Sequence, residues 1–348
     1  VSQLTTDREL AKWTAGLEAE EEPKRTQAAK ELLSALARPG FKNSKAALSL
    51  LQASWWPLTP ELIPQAVEAV LFAVRGLERD APELEDASLL LGNLGREDAS
   101  QLEVLAAALR DPAPTVRRAV AGAVGRIGQA ALGTLPLLLE CLSAPEEEVG
   151  GAALESLGTL GPLAPEAVAP ALLAEAGRST GARRYLALAG LRGLLEEPYR
   201  SGQPMPGLSD LEAVALLALD DEQPATRLEA AALLGMASSG SAKGQGALQR
   251  CLGDPSPDVA AYSAVALLRR GAESPEAPAR LRELLFSTTQ EHRFAALSVL
   301  EGLEPSTAKR LRAVLEEAVR QGPEDVRAVC RELVAALDVL QFRRGVLN

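Results

Sequence analysis

A 33-residue pattern recurs along this chain, and that period constrains its fold more than any other feature. From Val116 as reference, steps of 33 reach Val149 and Ala182, a step of 44 reaches Thr226, steps of 33 reach Val259 and His292, and a step of 34 reaches Val326. Eleven residues before each reference stand Leu105, Leu138, Ala171, Ala215, Leu248, Leu281 and Leu315. Seven before stand Leu109, Leu142, Glu175, Leu219, Leu252, Leu285 and Val319. Columns four apart share one helix face. Pro112, Pro145 and Pro255, four before their references, end that helix and open a turn. Four after the references a second column follows: Val120, Ala153, Leu186, Ala230, Ser263, Ala296 and Cys330. Each copy therefore predicts helix, short turn, helix. One such pair cannot bury its apolar face alone, so neighbours must stack.

Composition agrees with this reading. Apolar residues make up 47% and aromatics 3%, so the core must be built from Leu, Ala and Val. The 28 glycines and 23 prolines suit an all-α chain only if breakers recur between short helices. The expected architecture is an α-solenoid of about nine stacked antiparallel helix pairs. Residues 100–348 form the regular array, and residues 1–99 form irregular N-terminal pairs or a cap, with helix pairs over 9–38 and 60–95. The long step coincides with EEPYRSGQPMPGLSD at 196–210, read as a loop inserted between repeats.

The pattern of Asp111-Pro112 followed by Val116-Arg117 and a small-residue second helix resembles HEAT-like repeats of the bacterial type, the armadillo-like solenoids that include PBS-lyase HEAT-like repeats. The resemblance covers about residues 100–342. It implies antiparallel helix pairs whose second helices line a concave groove. The Ala, Arg, Gly and Pro excess, with only seven lysines, fits a GC-rich bacterial genome, and the initial Val fits a GTG start.

Several function classes are disfavoured. A net charge of −11 argues against nonspecific nucleic-acid binding. No apolar run approaches the roughly 18 residues of a membrane span, and VSQLTTDRELAKW is no signal core, so a cytoplasmic protein is expected. His292 is the only histidine, which removes any multi-histidine metal site. Deoxyhypusine hydroxylases resemble HEAT repeats too, but that family binds iron through paired His-Glu motifs, and the single Glu291-His292 cannot supply them. Cys141, Cys251 and Cys330 fall on small or apolar columns and read as core residues. No metal and no cofactor is expected.

Trp55 and Trp56 form the densest aromatic cluster, near Lys42 and Lys45. HEAT-like DNA glycosylases, which this stretch resembles in having tryptophans near basic residues, use Trp and an acidic residue in a basic groove. Here residues 1–82 hold 10 basic and 11 acidic side chains, so a Trp pair plugging a loop is the favoured reading. The column Arg117, Arg183, Arg227, Arg293 and Arg327 reads as a structural ladder between repeats, with Asp111 and Asp221 six before their arginines. Glu146, Glu147 and Glu148 read as a solvated helix start.

Positions three and ten after the reference project opposite the core on a helical wheel. There Tyr185 and Arg192, Tyr262 and Arg269 recur, with Arg126 alone in an earlier copy, in a chain of only three tyrosines. Tyr and Arg are enriched at binding hot spots. The expected function is a non-catalytic scaffold or adaptor holding a protein or peptide in the groove, with acidic or aromatic partner side chains suiting Arg and Tyr. A bilin-lyase-like module is the alternative, and a nucleic-acid enzyme at Trp55 and Trp56 is third.

Overall fold

The protein is described by a computed structural model over residues 3–41, 43–53, 58–201, 210–237, 241–271, 274–301 and 303–346, with backbone alone at 3–7, 200 and 340–346. Trp55 and Trp56 lie outside the described residues, as does most of the expected insertion, 202–209. Among the described residues there is no strand. The α-helices in order are α1 (Gln3–Leu17), α2 (Glu22–Leu36), α3 (Ser44–Ala53), α4 (Ile63–Val74), α5 (Glu83–Glu97), α6 (Leu102–Ala108), α7 (Pro114–Ile127), α8 (Leu135–Cys141), α9 (Glu147–Leu160) and α10 (Pro165–Arg178). They continue as α11 (Gly181–Ser201), α12 (Leu211–Ala218), α13 (Pro224–Met236), α14 (Ala242–Cys251), α15 (Pro257–Arg269), α16 (Glu276–Leu285), α17 (Gln290–Leu300), α18 (Pro305–Arg310), α19 (Arg312–Gln321) and α20 (Glu324–Val346).

After α1 these helices form nine pairs among the described residues, α18 and α19 together serving as the first helix of the last. The chain divides into two compact units, residues 1–171 and 172–348. Each is a stack of helix pairs. None of the described helices is long and apolar enough to cross a membrane.

The turn between paired helices is written by one local motif. Asp111 accepts a hydrogen bond from the N–H of Ala113 (2.9 Å), Asp221 from Gln223 (3.0 Å) and Asp254 from Ser256 (2.9 Å). Each Asp stands three residues before a proline, Pro114, Pro224 or Pro257, that opens the second helix. Proline suits that position because its missing N–H would have no intrahelical partner there and its φ is preset. An Asx turn followed by N1 proline thus starts the helix without a side-chain cap.

In each unit the second helices pack closely along the stack: α5, α7 and α9 in the first, α11, α13, α15 and α17 in the second. Small residues permit the approach. A Cβ on Gly125 would lie 2.7 Å from the Ser156 Cα, and one on Gly235 would lie 2.9 Å from the Ala266 Cβ. The Ser156 hydroxyl fills the space at Gly125, accepting from the Gly125 N–H (3.1 Å) and donating to the Ala121 carbonyl (2.5 Å). First helices touch their counterparts much less.

The arginine ladder joins repeats at the turns. Arg117 donates to the Asp111 and Pro112 carbonyls (2.7 and 3.1 Å) and to Glu146 of the next repeat (2.6 Å). Arg227 donates to the Asp221 and Glu222 carbonyls and forks onto Asp254 with two bonds of 2.8 Å. Arg293 repeats this with the Ser287 carbonyl and Asp325 (2.9 Å). Arg183 instead bonds the buried Glu175 (2.7 Å). The residue six before Arg117, Arg227 and Arg293 (Asp111, Asp221 and Ser287) therefore offers its carbonyl, and for these three the carboxylate partner comes from the following repeat. Glu146 is half-buried and held by Arg117, whose hydrogen bond lowers its pKa below the usual range, while Glu147 and Glu148 are exposed as expected.

Candidate functional site

The second unit carries a cleft of about 80 Å³ at the C-terminal ends of its second helices. Its floor is Ala232 and Met236 of α13, Val265 of α15 and Val299 of α17. Over that floor stand Arg192, Glu196 and Tyr199 from α11, Tyr262 and Arg269 from α15, and Glu301 and Glu304 beyond α17. The volume is well below the roughly 300–1,000 Å³ of small-molecule sites, so the cleft suits a side chain better than a cofactor.

Two ion pairs hold the walls. Arg192 forks onto Glu229 with bonds of 2.5 and 3.2 Å, and the Glu229 side chain is 4% exposed. Burial opposes the charge on Arg192, but Glu229 and the neighbouring Tyr262 and Glu196 raise its pKa. Arg269 donates from Nε to Glu304 Oε2 at 3.1 Å, with Nη2 at ion-pair distance, 3.0 Å, from Oε1. Its guanidinium also lies 5.5 Å from the centroid of the Tyr199 ring, within cation–π range. Burial, followed by the Glu304 charge, pushes the Tyr199 phenol up, and Arg269 offsets part of that.

Of the residues expected to form the groove, Arg192, Tyr262 and Arg269 line this cleft. Tyr185 is half-buried on α11, two turns before Arg192, and does not line it. Arg126 belongs to the first unit. It is exposed on α7 and paired with Glu85 of α5.

The expectation that positions three and ten after the reference lie opposite the core is corrected for three of them. Glu229, Met236 and Ala119, placed opposite the core by the wheel, are 3%, 6% and 1% exposed. A second helix has neighbours along the stack as well as a paired first helix. Most of its circumference is therefore packed, and Arg192 folds over what remains.

Tyr199 was hidden by the loop expected at 196–210. The structure continues α11 to Ser201, through Pro198. Proline there removes the one N–H that would bond the Leu194 carbonyl, a single bond lost about one turn before the helix ends. A signal was present: Tyr185, Arg192 and Tyr199 are spaced by seven, which keeps them on one helix face.

The remaining candidates sit in packing positions. His292 is half-buried, its Nδ1 3.2 Å from the Ser287 hydroxyl. Cys141 and Cys330 are buried and Cys251 half-buried, and all three are free thiols. Burial raises each thiol, Cys330 to about 11. Among the described residues no group of three or more His, Cys, Asp and Glu is placed to hold a metal ion. Trp13 is buried with its ring 6.2 Å from Phe41.

A family model for HEAT repeats matches residues 102–192. No curated protein matches the chain by sequence. Among solved structures, an engineered protein is similar over 95% of this chain and 99% of its own, at 18% identity and a TM-score of 0.51. A structure of the complex of CpcE and CpcF of phycocyanin lyase from Nostoc sp. PCC7120 is similar over 80% of this chain and 95% of its own, at 20% identity and a TM-score of 0.40. Importin beta is similar over 97% of this chain and 48% of its own, at 15% identity and a TM-score of 0.48. At these identities the likeness concerns the fold.

Proposed function

From a fold of stacked helix pairs whose residues 102–192 are HEAT repeats, we propose that the chain is a non-catalytic adaptor that holds a segment of a protein partner against its second helices, with the cleft of the second unit as anchor. One observation carries this reading. Large amphipathic side chains from α11 and α15, the residue types that dominate binding hot spots, converge over an apolar floor in a space sized for a side chain. Repeat stacking supplies an extended surface with no need of a reacting centre.

The test is capture from lysate of the source cells by full-length bait, wild type against a Tyr262→Ala/Arg269→Gln double variant at equal folded fraction. Crosslinking with mass spectrometry maps the contact. A tenfold or greater loss of one captured protein, crosslinked to residues 192–304, is expected, since a pair of hot spots contributes at least about 1.4 kcal/mol. Unchanged capture by the double variant removes the cleft from the function.

A further inference from the structure

Apart from α20 of the last pair, which has 23 residues, the second helices on either side of α11 are short: α7 and α9 have 14 residues, α13 and α15 have 13 and α17 has 11. By contrast, α11 has 21. The excess falls where the repeat lengthens from 33 to 44 residues. Its added turns carry Tyr199 past α13 to Arg269 on α15, two repeats along. Stacking requires contacts between adjacent repeats only, so this reach is not needed to build the array.

The place Tyr199 occupies is complete without it. Arg269 is held by Glu304 at 3.1 and 3.0 Å, and the floor of Ala232, Met236, Val265 and Val299 is made by other helices. We infer that Tyr199 is an internal occupant of a subsite for an aromatic side chain of the partner, and that capture proceeds by displacing the end of α11 from the cleft. This rests on the adaptor reading above and names the chemistry the cleft recognises: a ring laid under a guanidinium against an apolar floor. Release is local. Pro198 deprives the Leu194 carbonyl of its helical donor, so the turns after it are joined to the helix by one bond fewer. The repeats themselves do not have to open.

The chain holds three tyrosines, so 3-fluorotyrosine labelling of the full-length protein gives three ¹⁹F resonances. Tyr199→Phe assigns the one of interest. The probe is the unlabelled peptide acetyl-Gly-Ser-Gly-Tyr-Gly-Ser-Gly-amide, with a leucine version as control. The tyrosine peptide is expected to move the Tyr199 resonance saturably toward the position of free fluorotyrosine, and the leucine peptide to leave it in place. In Tyr199→Ala, followed at Tyr262, the tyrosine peptide should bind about tenfold more tightly, the gain when a site open one time in ten becomes always open. In Arg269→Ala its binding should be lost. A Tyr199 resonance that stays fixed at saturating peptide, equal binding of the leucine peptide, or no gain in Tyr199→Ala overturns the inference. Tyr199→Ser serves as the second opened variant if Tyr199→Ala does not fold. The adaptor reading fails separately, when Tyr262→Ala/Arg269→Gln retains its partner, whatever Tyr199 does.

Discussion

One substitution made at two glycines tests whether close approach of second helices builds the stack. Ala in place of Gly within a helix gains about 1 kcal/mol of intrinsic propensity. At Gly193, on the exposed side of α11, a new Cβ meets nothing within 4 Å. Gly193→Ala should therefore stabilise the second unit by about 0.5–1 kcal/mol. At Gly125 the new Cβ would lie 2.5 Å from the Ser156 Oγ, 2.7 Å from its Cα and 2.8 Å from its Cβ. Rotation of the serine relieves only the first contact, because the Cα and Cβ are fixed by α9. Overpacking of this kind costs about 1–3 kcal/mol, and separating the helices also strains the bond from the Gly125 N–H to Ser156, worth about 1 kcal/mol. Subtracting the propensity gain leaves Gly125→Ala destabilising by about 1–3 kcal/mol. For a unit of 171 residues, at about 2–4 °C per kcal/mol, the first unit should melt about 2–12 °C lower, while Gly193→Ala raises the melting of the second by about 1–4 °C. Circular dichroism melts of the full chain read both. Shifts of the same sign in the two variants would refute the packing argument.

Arg192→Met strands the buried Glu229 carboxylate and should cost about 2–4 kcal/mol, below the full penalty of a broken buried pair because Arg192 is one-third exposed; adding Glu229→Leu should recover most of it in urea melts, and a double variant no better than the single one would sink the claim. Acid should loosen the turns. Burial raises Asp254, but Arg227 and the Ser256 N–H more than offset this and hold it below the usual range, while Arg293 lowers Asp325. Stability from such depressed carboxylates is complete above their unfolded pKa of about 4 and is lost as pH falls through the lower folded values. Melting temperature should thus drop below about pH 4, and less steeply in Arg227→Gln; an unchanged acid slope in that variant counts against the ladder. Alkylation at pH 8 with mass spectrometry should modify half-buried Cys251 before buried Cys330, whose thiol is pushed up to about 11; the reverse order contradicts the burial.

The helix pairs were legible because two physical rules act locally, the first in most copies and the second in three of them. Apolar residues four apart mark a face, and proline beside an Asx turn marks a helix start, so Asp111 to Pro114 announces a turn by itself. The groove was less legible because a wheel treats a helix as having one buried side. Glu229 and Met236 depend on helices from other repeats, which a single helix does not reveal. Tyr199 depends on a tertiary contact: Pro198 and the glycines after it favour a loop locally, whereas α11 continues through Pro198 to Ser201 and sets Tyr199 beside Arg269 of α15. The Arg117 and Arg227 roles were half visible. The column and the nearby Asp could be read, but not that the bond goes to the carbonyl and the carboxylate comes from the next turn.

The two sets of arginines on the second helices have different consequences for recognition. Those one residue after the reference, Arg117, Arg227 and Arg293, are consumed by turn carbonyls and by Glu146, Asp254 and Asp325, so they set the spacing of repeats. Those ten after it, Arg192 and Arg269, face the cleft but are already paired, Arg192 forked onto Glu229 and Arg269 bonded to Glu304. An acidic partner side chain would have to compete with a carboxylate held in place by the fold, at a cost in desolvation that the new pair returns only in part. An aromatic side chain competes instead with Tyr199, for the face of the Arg269 guanidinium: it leaves the Arg269–Glu304 pair in place and covers apolar floor. The neutralised pairs thus turn a charged-looking groove into one that selects rings, and the binding they support should depend weakly on salt, in contrast to a surface that binds through unpaired arginine.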